Sequence, residues 1–485
     1  MKKQYTQALS AITIIILAFG CQAPTSEKKE KQATDSTAAQ QNRPPDINLL
    51  GDSLTFYFSV KKDTISYKIP AIQSFAVAEH NGLWVFIGGE KKGFHGTVSH
   101  PIPFPVNKVN DSIWVVDFIH QQSWSIVVPV NYSKILSVTS PEFFQAGDSL
   151  YFCGGFTRNS NTATHLNYTS NYFLEINLGK LVQYVQSGGT SFPFSTVITK
   201  MIQDTFVQVT GGGLVYSNGY FYLVGGQNYR KVYAAGRTGA YTNAIRTFML
   251  QQPSPGQWSL GNKSSLIDSV NLHRRDMNLV YVPGTTQAGA ILYGGVFTKR
   301  DEAFRNAVFI NGLSTGQPTI TVDSLKQTAN QYSCAMITMN IGGGAVFTTF
   351  LGGISYTMFD PKTRKLKVGD NGIPMPWSNL ISSMATANGV VPSKEFIQLP
   401  PRDPLLPRYM GANAVFMPLE SYRAKGSMRI LDFAKIRNAA NGAKVLVGFL
   451  AGGIISEGPT SGVTPRRYVL TFSNPDVYDV YLTFK

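Results

Sequence analysis

Six times along the chain a run of alternating or continuous apolar residues ends in a pair of glycines. The runs are WVFIGG (Gly88, Gly89), LYFCGG (Gly154, Gly155), FYLVGG (Gly225, Gly226), AILYGG (Gly294, Gly295), TTFLGG (Gly352, Gly353) and GFLAGG (Gly452, Gly453). Each is short, rich in aromatic and β-branched residues and closed by a turn residue, the pattern of a buried strand. Behind each pair come a loop of variable length, a second strand-like run, a turn and a third run. In chain order these later runs are SIWVVDF with SWSIVV, NYFLEINL with KLVQYV, AIRTFML with QWSL, NAVFING with TITVDS, YTMFDP with KLKV, and RYVLTF with DVYLTFK. Few stretches show the 3.6-residue apolar rhythm of helices. A β unit that cannot bury its own faces has to stack on copies of itself, so six copies predict one all-β body, a six-bladed β-propeller. The segment from Ser53 to Pro70 lies outside the six units and predicts a hairpin that pairs with the last blade and closes the ring, the alternative being a hairpin decorating the rim. Closing the ring protects the last sheet edge.

The units resemble kelch repeats over nearly the whole body. In a kelch unit the double glycine ends the second strand, and the following hairpin supplies the third and fourth. The pairs here are roughly 60 to 70 residues apart, and the last interval is nearer 100, against about 50 in kelch arrays. The excess predicts inserted loops, the longest from Gly369 to Pro407, where Trp377 is read as a solvent-facing aromatic. The other tryptophans (Trp84, Trp114, Trp124, Trp258) fall in predicted strands and are read as packing between blades. A narrower resemblance rests on Leu272-His-Arg-Arg-Asp-Met-Asn-Leu-Val280, Asn330-Gln-Tyr-Ser333, the FLGGIS block and Arg408-Tyr-Met-Gly-Ala-Asn-Ala-Val-Phe416. It is to exported kelch-type proteins of gliding-type bacteria associated with type IX secretion. It implies the fold and an envelope address, and no reaction.

The first 46 residues have a different character. Lys2 and Lys3 precede an apolar stretch from Ala8 to Phe19, too short to span a membrane comfortably, and then small Gly20 and Cys21. The run Leu17 to Cys21 resembles a bacterial lipobox, which implies a signal peptide at 1–20 and a lipid on Cys21; an ordinary secretory signal with an incidental cysteine is the alternative. Residues 21–46 are nearly devoid of bulky apolar side chains and read as a disordered tether, leaving 47–485 for the propeller. Together these predict an outer-membrane lipoprotein of the cell envelope. Cys153 and Cys334 are too few for a disulfide framework and are read as buried thiols.

Charge bears on the partner. A net +15, or +13 once Lys2 and Lys3 are removed, favours acidic partners such as an acidic glycan, lipopolysaccharide, anionic lipid headgroups or nucleic acid. No basic helix or nucleic-acid-binding signature is present, so nucleic acid is not expected. If the innermost strands start on the face that carries the loops after the glycine pairs, Arg274, Arg275, Asp276 and Arg408 stand beside loops carrying Arg158, Arg230, Lys299 and Arg300. Guanidinium forks suit carboxylate, sulfate or phosphate, so these residues are the expected ligand site. The opposing reading makes Arg275 and Arg408 structural, pairing near the axis.

No catalytic motif stands out. Glu90, His95 and His100 share a loop without metal-ligand spacing, and the triple glycines at 211–213 and 342–344 lack the lysine and helix of a phosphate loop, so neither a metal nor another cofactor is expected. The first expectation is a binding or scaffold propeller for an acidic glycan or an envelope protein. The second is an envelope enzyme acting on acidic sugars in a mutarotase or epimerase manner, with Asp276, Asp301 or Glu302 as acid or base. The third is a subunit of a secretion or motility assembly.

Overall fold

A computed structural model describes residues 54–94, 104–158, 166–232, 239–283, 289–298, 303–342, 345–369, 375–387, 390–440, 444–459 and 470–485. The signal sequence, Cys21, the tether, His95, His100, Lys299, Arg300, Asp301 and Glu302 lie outside the described residues.

The body is a six-bladed β-propeller of kelch-like build. Each blade is built on four antiparallel strands, which in blades one to five follow chain order from the axis outward. The innermost strands of blades one to six are Ala76–His80, Glu142–Ala146, Gly213–Ser217, Asn278–Val282, Ala335–Asn340 and Tyr409–Pro418. The sixth blade is completed by the start of the chain: Phe56–Lys62 pairs antiparallel with Val477–Phe484, the last strand. The expected closure is therefore made, but by a single strand, because no strand follows it between Asp63 and Pro70. Gln398 of blade five brackets the outer edge of that strand, accepting from the Phe58 N–H at 2.7 Å and donating to its carbonyl at 2.8 Å.

The glycine pairs are joints between blades. Both members of every pair have φ between +60° and +90°, the left-handed region that only glycine enters without strain. A Cβ on the first member would lie 2.0–3.0 Å from a carbonyl oxygen of the next blade in all six cases. The second member donates its N–H across the same joint, Gly89 to Val138 O, Gly155 to Val209 O, Gly226 to Arg274 O and, closing the circle, Gly453 to Ile72 O, at 2.7–2.8 Å. Close backbone approach combined with left-handed geometry is why two glycines in succession recur.

Two of the expected hairpins are otherwise. KLVQYV is helical: Leu178–Gln186 buries Leu178, Leu181, Val182 and Val185 on one side, and Asn177 caps it by accepting from the Lys180 N–H at 2.8 Å. The i, i+3, i+4 spacing outweighs the β-branched content, and the fourth strand of blade two is Ile198–Gln203. YTMFDP and KLKV pair only with each other, as an inserted hairpin (Thr357–Asp360 with Lys365–Val368). The outer strands of blade five are Trp377–Ala387 and Val390–Ile397, inside the stretch expected to be a loop insertion. Trp377 is buried, not solvent-facing. The run WSNLISSMATA reads as polar because of its hydroxyls. Folded, Ser383 bonds Thr349, Ser382 donates to Gln331 and Thr386 to the Val346 carbonyl, so a serine-rich strand can be buried at little cost. In blade six, of RYVLTF only the end is described; Thr471–Ser473 forms a short side strand off the second strand, and Val477–Phe484 is the third.

A further element has no counterpart in the sequence reading. Between the first two strands of blade six, the segment from Leu419 to Ala440 crosses to both neighbours. Ile430–Asp432 adds parallel to the innermost strand of blade five. On the other side, Arg423 forms a buried ion pair with Glu79 of blade one at 3.0 Å, and Arg429 donates to the Val77 carbonyl at 2.9 Å. Both guanidinium groups sit over Trp84.

Candidate functional site

The six innermost strands enclose an axial channel of about 680 Å³. Its most regular feature is a ring of residues in the left-handed region, Ser74, Ser140, Gly211, Asp276, Ser333 and Asn413, with φ from +50° to +69°; the first five stand two residues ahead of the innermost strand of their blade, and Asn413 lies within that of blade six. All six line the channel. The residue before each of them pairs with the residue after a glycine pair, as in Gln73 with Glu90, Thr139 with Phe156, Thr210 with Gln227, Arg275 with Val296 and Tyr332 with Ile354. The ring and the glycine joints are thus two sides of one repeated construction.

Backbone bonds tie the ring together in pairs: Ser140 N to Ser74 O at 2.8 Å, Asp276 N to Gly211 O at 2.7 Å, and Asn413 N to Ser333 O at 2.5 Å. Side chains join the pairs. Thr210 donates to Ser140 O at 3.1 Å, and Asn413 Nδ2 donates to Gln73 at 2.9 Å. Asn278 accepts from Cys334 N at 3.0 Å. The ring positions call only for a small or amide residue that tolerates the left-handed region, and five hold one. The sixth is Asp276, preceded by Arg275, whose Nε lies 3.5 Å from Oδ2. This is the one charged step in the ring. Burial raises the Asp276 carboxyl above the ordinary carboxylate range, with Arg275 opposing, although the side chain keeps 35% of its surface accessible. Arg275 also lies over the Phe297 ring.

The other expected arginines do not converge there. Arg274 is 1% exposed; it donates to the carbonyls of Asn271, Gly294 and Asn306 at 2.7–3.0 Å and stacks on Phe304. Burial brings it down to about 9, which leaves it charged at neutral pH. Its role is structural, a correction to the expected ligand set, because every contact it makes is internal. Arg408 is half exposed, 3.8 Å from Asp476. Arg158 and Arg230 are brought onto one small sheet formed by Phe156–Arg158, Leu166–Thr169 and Arg230–Val232, and Arg230 is exposed. Arg300 lies outside the described residues. Among the described residues of the expected set, Asp276 lines the channel, Arg275 is buried beside it over Phe297, and Arg230 and Arg408 lie apart from the channel.

The ring leaves a trace in the sequence. Ser74, Ser140 and Gly211 each stand fourteen residues ahead of a glycine pair, but longer connections in blades four to six break that interval. Glu142 has no such signal and escapes the sequence reading altogether. It lines the channel, is 2% exposed, and accepts the Gly212 N–H on Oε1 at 2.8 Å. Cys153 and Cys334 are both buried, and burial raises both thiols. Among the described residues no group of three metal-ligating side chains is close enough to hold an ion.

The class these features define is a six-bladed propeller with a polar ring, charged at one position, in an axial channel. No protein-family model matches the chain, and no curated protein matches it. Among solved structures, one titled "Structure of YjhT" is similar over 84% of this chain and 99% of that one, at 12% identity and a TM-score of 0.45.

Proposed function

We propose that this chain is an exported envelope propeller, held by a lipid on Cys21, that binds the end of an acidic glycan at the ring of its channel. The observation that carries the reading is the break in the repeat at Arg275–Asp276. Five positions satisfy the backbone with small neutral residues, and a charged pair there serves no backbone need. Ring hydroxyls, the Asn413 amide and Asp276 suit sugar hydroxyls, and Arg275 suits a carboxylate or sulfate. The net positive charge favours approach of such a ligand. The likeness to exported kelch-type proteins of gliding-type bacteria agrees with that address. No helix among the described residues is long and apolar enough to cross a membrane, and the attachment proposed is the lipid alone.

Residues 46–485 should show a salt-sensitive rise in melting temperature with acidic sugars or sulfated glycans and none with neutral controls. Asp276→Asn keeps the left-handed conformation that Asn413 adopts at the matching place. It should leave the stability of the free protein within about 1 kcal/mol and abolish the ligand shift. An equal shift in the variant would remove Asp276 from the site. In the second reading the same pair does chemistry, because a carboxyl held above its ordinary range beside an arginine is a candidate acid or base for an acidic sugar. Turnover of any sugar that gives a shift distinguishes the two. If no glycan binds, the balance moves to a protein partner or an assembly.

Cell fractionation tests the anchor. Cys21→Ser should move the full-length protein from the membrane to the soluble fraction, and retention in the membrane would refute lipidation at Cys21.

A further inference from the structure

Blades two and four carry equivalent clamps, one a carboxyl and the other an amide. Asn278 stands two residues after its ring residue, Asp276. Its Oδ1 accepts the N–H of Cys334, the residue after the next ring position, at 3.0 Å, and its Nδ2 donates to the carbonyl of Gln331, two before that position, at 2.9 Å. Glu142 stands two residues after Ser140 and does the first half of the same work: Oε1 accepts the N–H of Gly212, the residue after ring position Gly211, at 2.8 Å. The carbonyl equivalent to that of Gln331 belongs to Val209. A Cβ placed on Gly154 would lie 2.0 Å from Val209 O and 2.5 Å from Glu142 Oε2, so both oxygens border the same small space. The Gly155 N–H at this joint donates to Val209 O at 2.8 Å and also faces the Glu142 carboxyl. Oε2 is buried and has no hydrogen-bond partner. Two acceptors side by side in a buried joint are repulsive unless a proton lies between them.

We propose that Glu142 is a neutral carboxylic acid in the folded protein, donating from Oε2 to the Val209 carbonyl, and that this proton latches the joint between blades two and three. The carboxylic acid then reproduces both bonds of the Asn278 amide. The side chains facing it do not stabilise an anion. The Cys153 thiol opposite it on the neighbouring strand is itself buried, Asp276 across the channel is acidic, and the cation of the ring, Arg275, is engaged with Asp276. Burial accordingly pushes the Glu142 carboxyl well above its usual range, outweighing the backbone contacts, of which that with Gly212 is the largest. The latch also reaches the ring, because Gly211 is the residue whose carbonyl holds the Asp276 N–H. This inference stands apart from the ligand reading and is tested without any ligand.

Linkage gives the sign. A carboxyl raised by folding contributes fully below its unfolded value, and the contribution is lost as pH rises toward the folded value. Glu142→Gln keeps both hydrogen bonds and cannot ionise. Hydrogen exchange of the peptides carrying Gly155 and Gly212 should therefore match between wild type and E142Q at about pH 5. With rising pH it should quicken in wild type relative to E142Q, by up to about tenfold per pH unit. Asn278→Asp should bring the same alkaline acceleration to the joint between blades four and five. Isotope-edited infrared spectra of wild type at neutral pH should hold a protonated-carboxyl band that E142Q lacks. Parallel exchange curves for wild type and E142Q across the range would overturn the latch. So would an infrared spectrum without that band, a result that stands even if E142Q does not fold.

Discussion

Gly352→Ala is expected to destabilise the propeller by roughly 3–5 kcal/mol, the range seen when strain and overpacking coincide. Two separate costs meet at this residue. Its φ of +64° is strained for any residue with a Cβ, and that Cβ would lie 2.0 Å from the Met410 carbonyl oxygen, a backbone atom that cannot rotate away. Relief requires blade six to move off blade five. Leu351, Met410 and Phe416 belong to the largest apolar cluster, which spans those blades, so the movement would also open the core. Gly82→Ala separates the two costs. Gly82 has a φ of +82° but nothing within 4 Å of where a Cβ would sit, and its loss should be only about 1 kcal/mol. Thermal or denaturant unfolding of both variants is the check. Equal losses would mean that the glycine pairs serve turn geometry alone and not close approach of the blades.

Deleting residues up to Asp63 should leave no folded monomer. The deleted strand, Phe56–Lys62, is the fourth strand of blade six, and its Phe56 and Phe58 side chains are 1% exposed. Phe56 meets Phe347 of blade five, Phe433 of the crossing segment and Phe484 of the last strand, with ring centroids 5.3–6.5 Å apart. Loss of each buried phenylalanine costs about 3–5 kcal/mol. The deletion also strips Val477–Phe484 of its partner and leaves an apolar edge open to pairing with other molecules. Size-exclusion chromatography should find aggregate where the protein beginning at residue 46 elutes as a single folded species. A stable monomer from the truncated chain would show that the ring holds without its closing strand.

Legibility in the sequence differs from element to element. The glycine pairs announce six blades because one backbone requirement, repeated six times, admits a single residue type. The strand at Phe56–Lys62 is legible by its alternation, and its closing role by lying outside the repeat. Helix Leu178–Gln186 carries its i, i+3, i+4 pattern openly, yet the repeat argues for a strand at that place and hides it. The outer strands of blade five are masked by serines and a threonine whose partners lie 34 to 51 residues away in sequence, and no local pattern reports such partners.

The same division runs through the candidate site. Arg275 and Asp276 are visible as a charged pair, and the place of Asp276 in the channel follows from the blade order. That Arg274 beside them points into carbonyls of its own surroundings, and not toward a ligand, depends on which way one side chain turns from a curved backbone. Glu142 looks like any strand carboxylate. Only the packing of blade two on blade three sets its oxygen against Val209 O, and only comparison with Asn278 in three dimensions gives that contact a meaning. By itself the sequence determined the number of blades, the order of most of their strands and the residue types at the joints, since those follow from local backbone geometry and periodic burial. The tertiary structure alone decided which polar groups are paired, which are buried and which face the channel, because each of those depends on contacts between blades far apart in the chain.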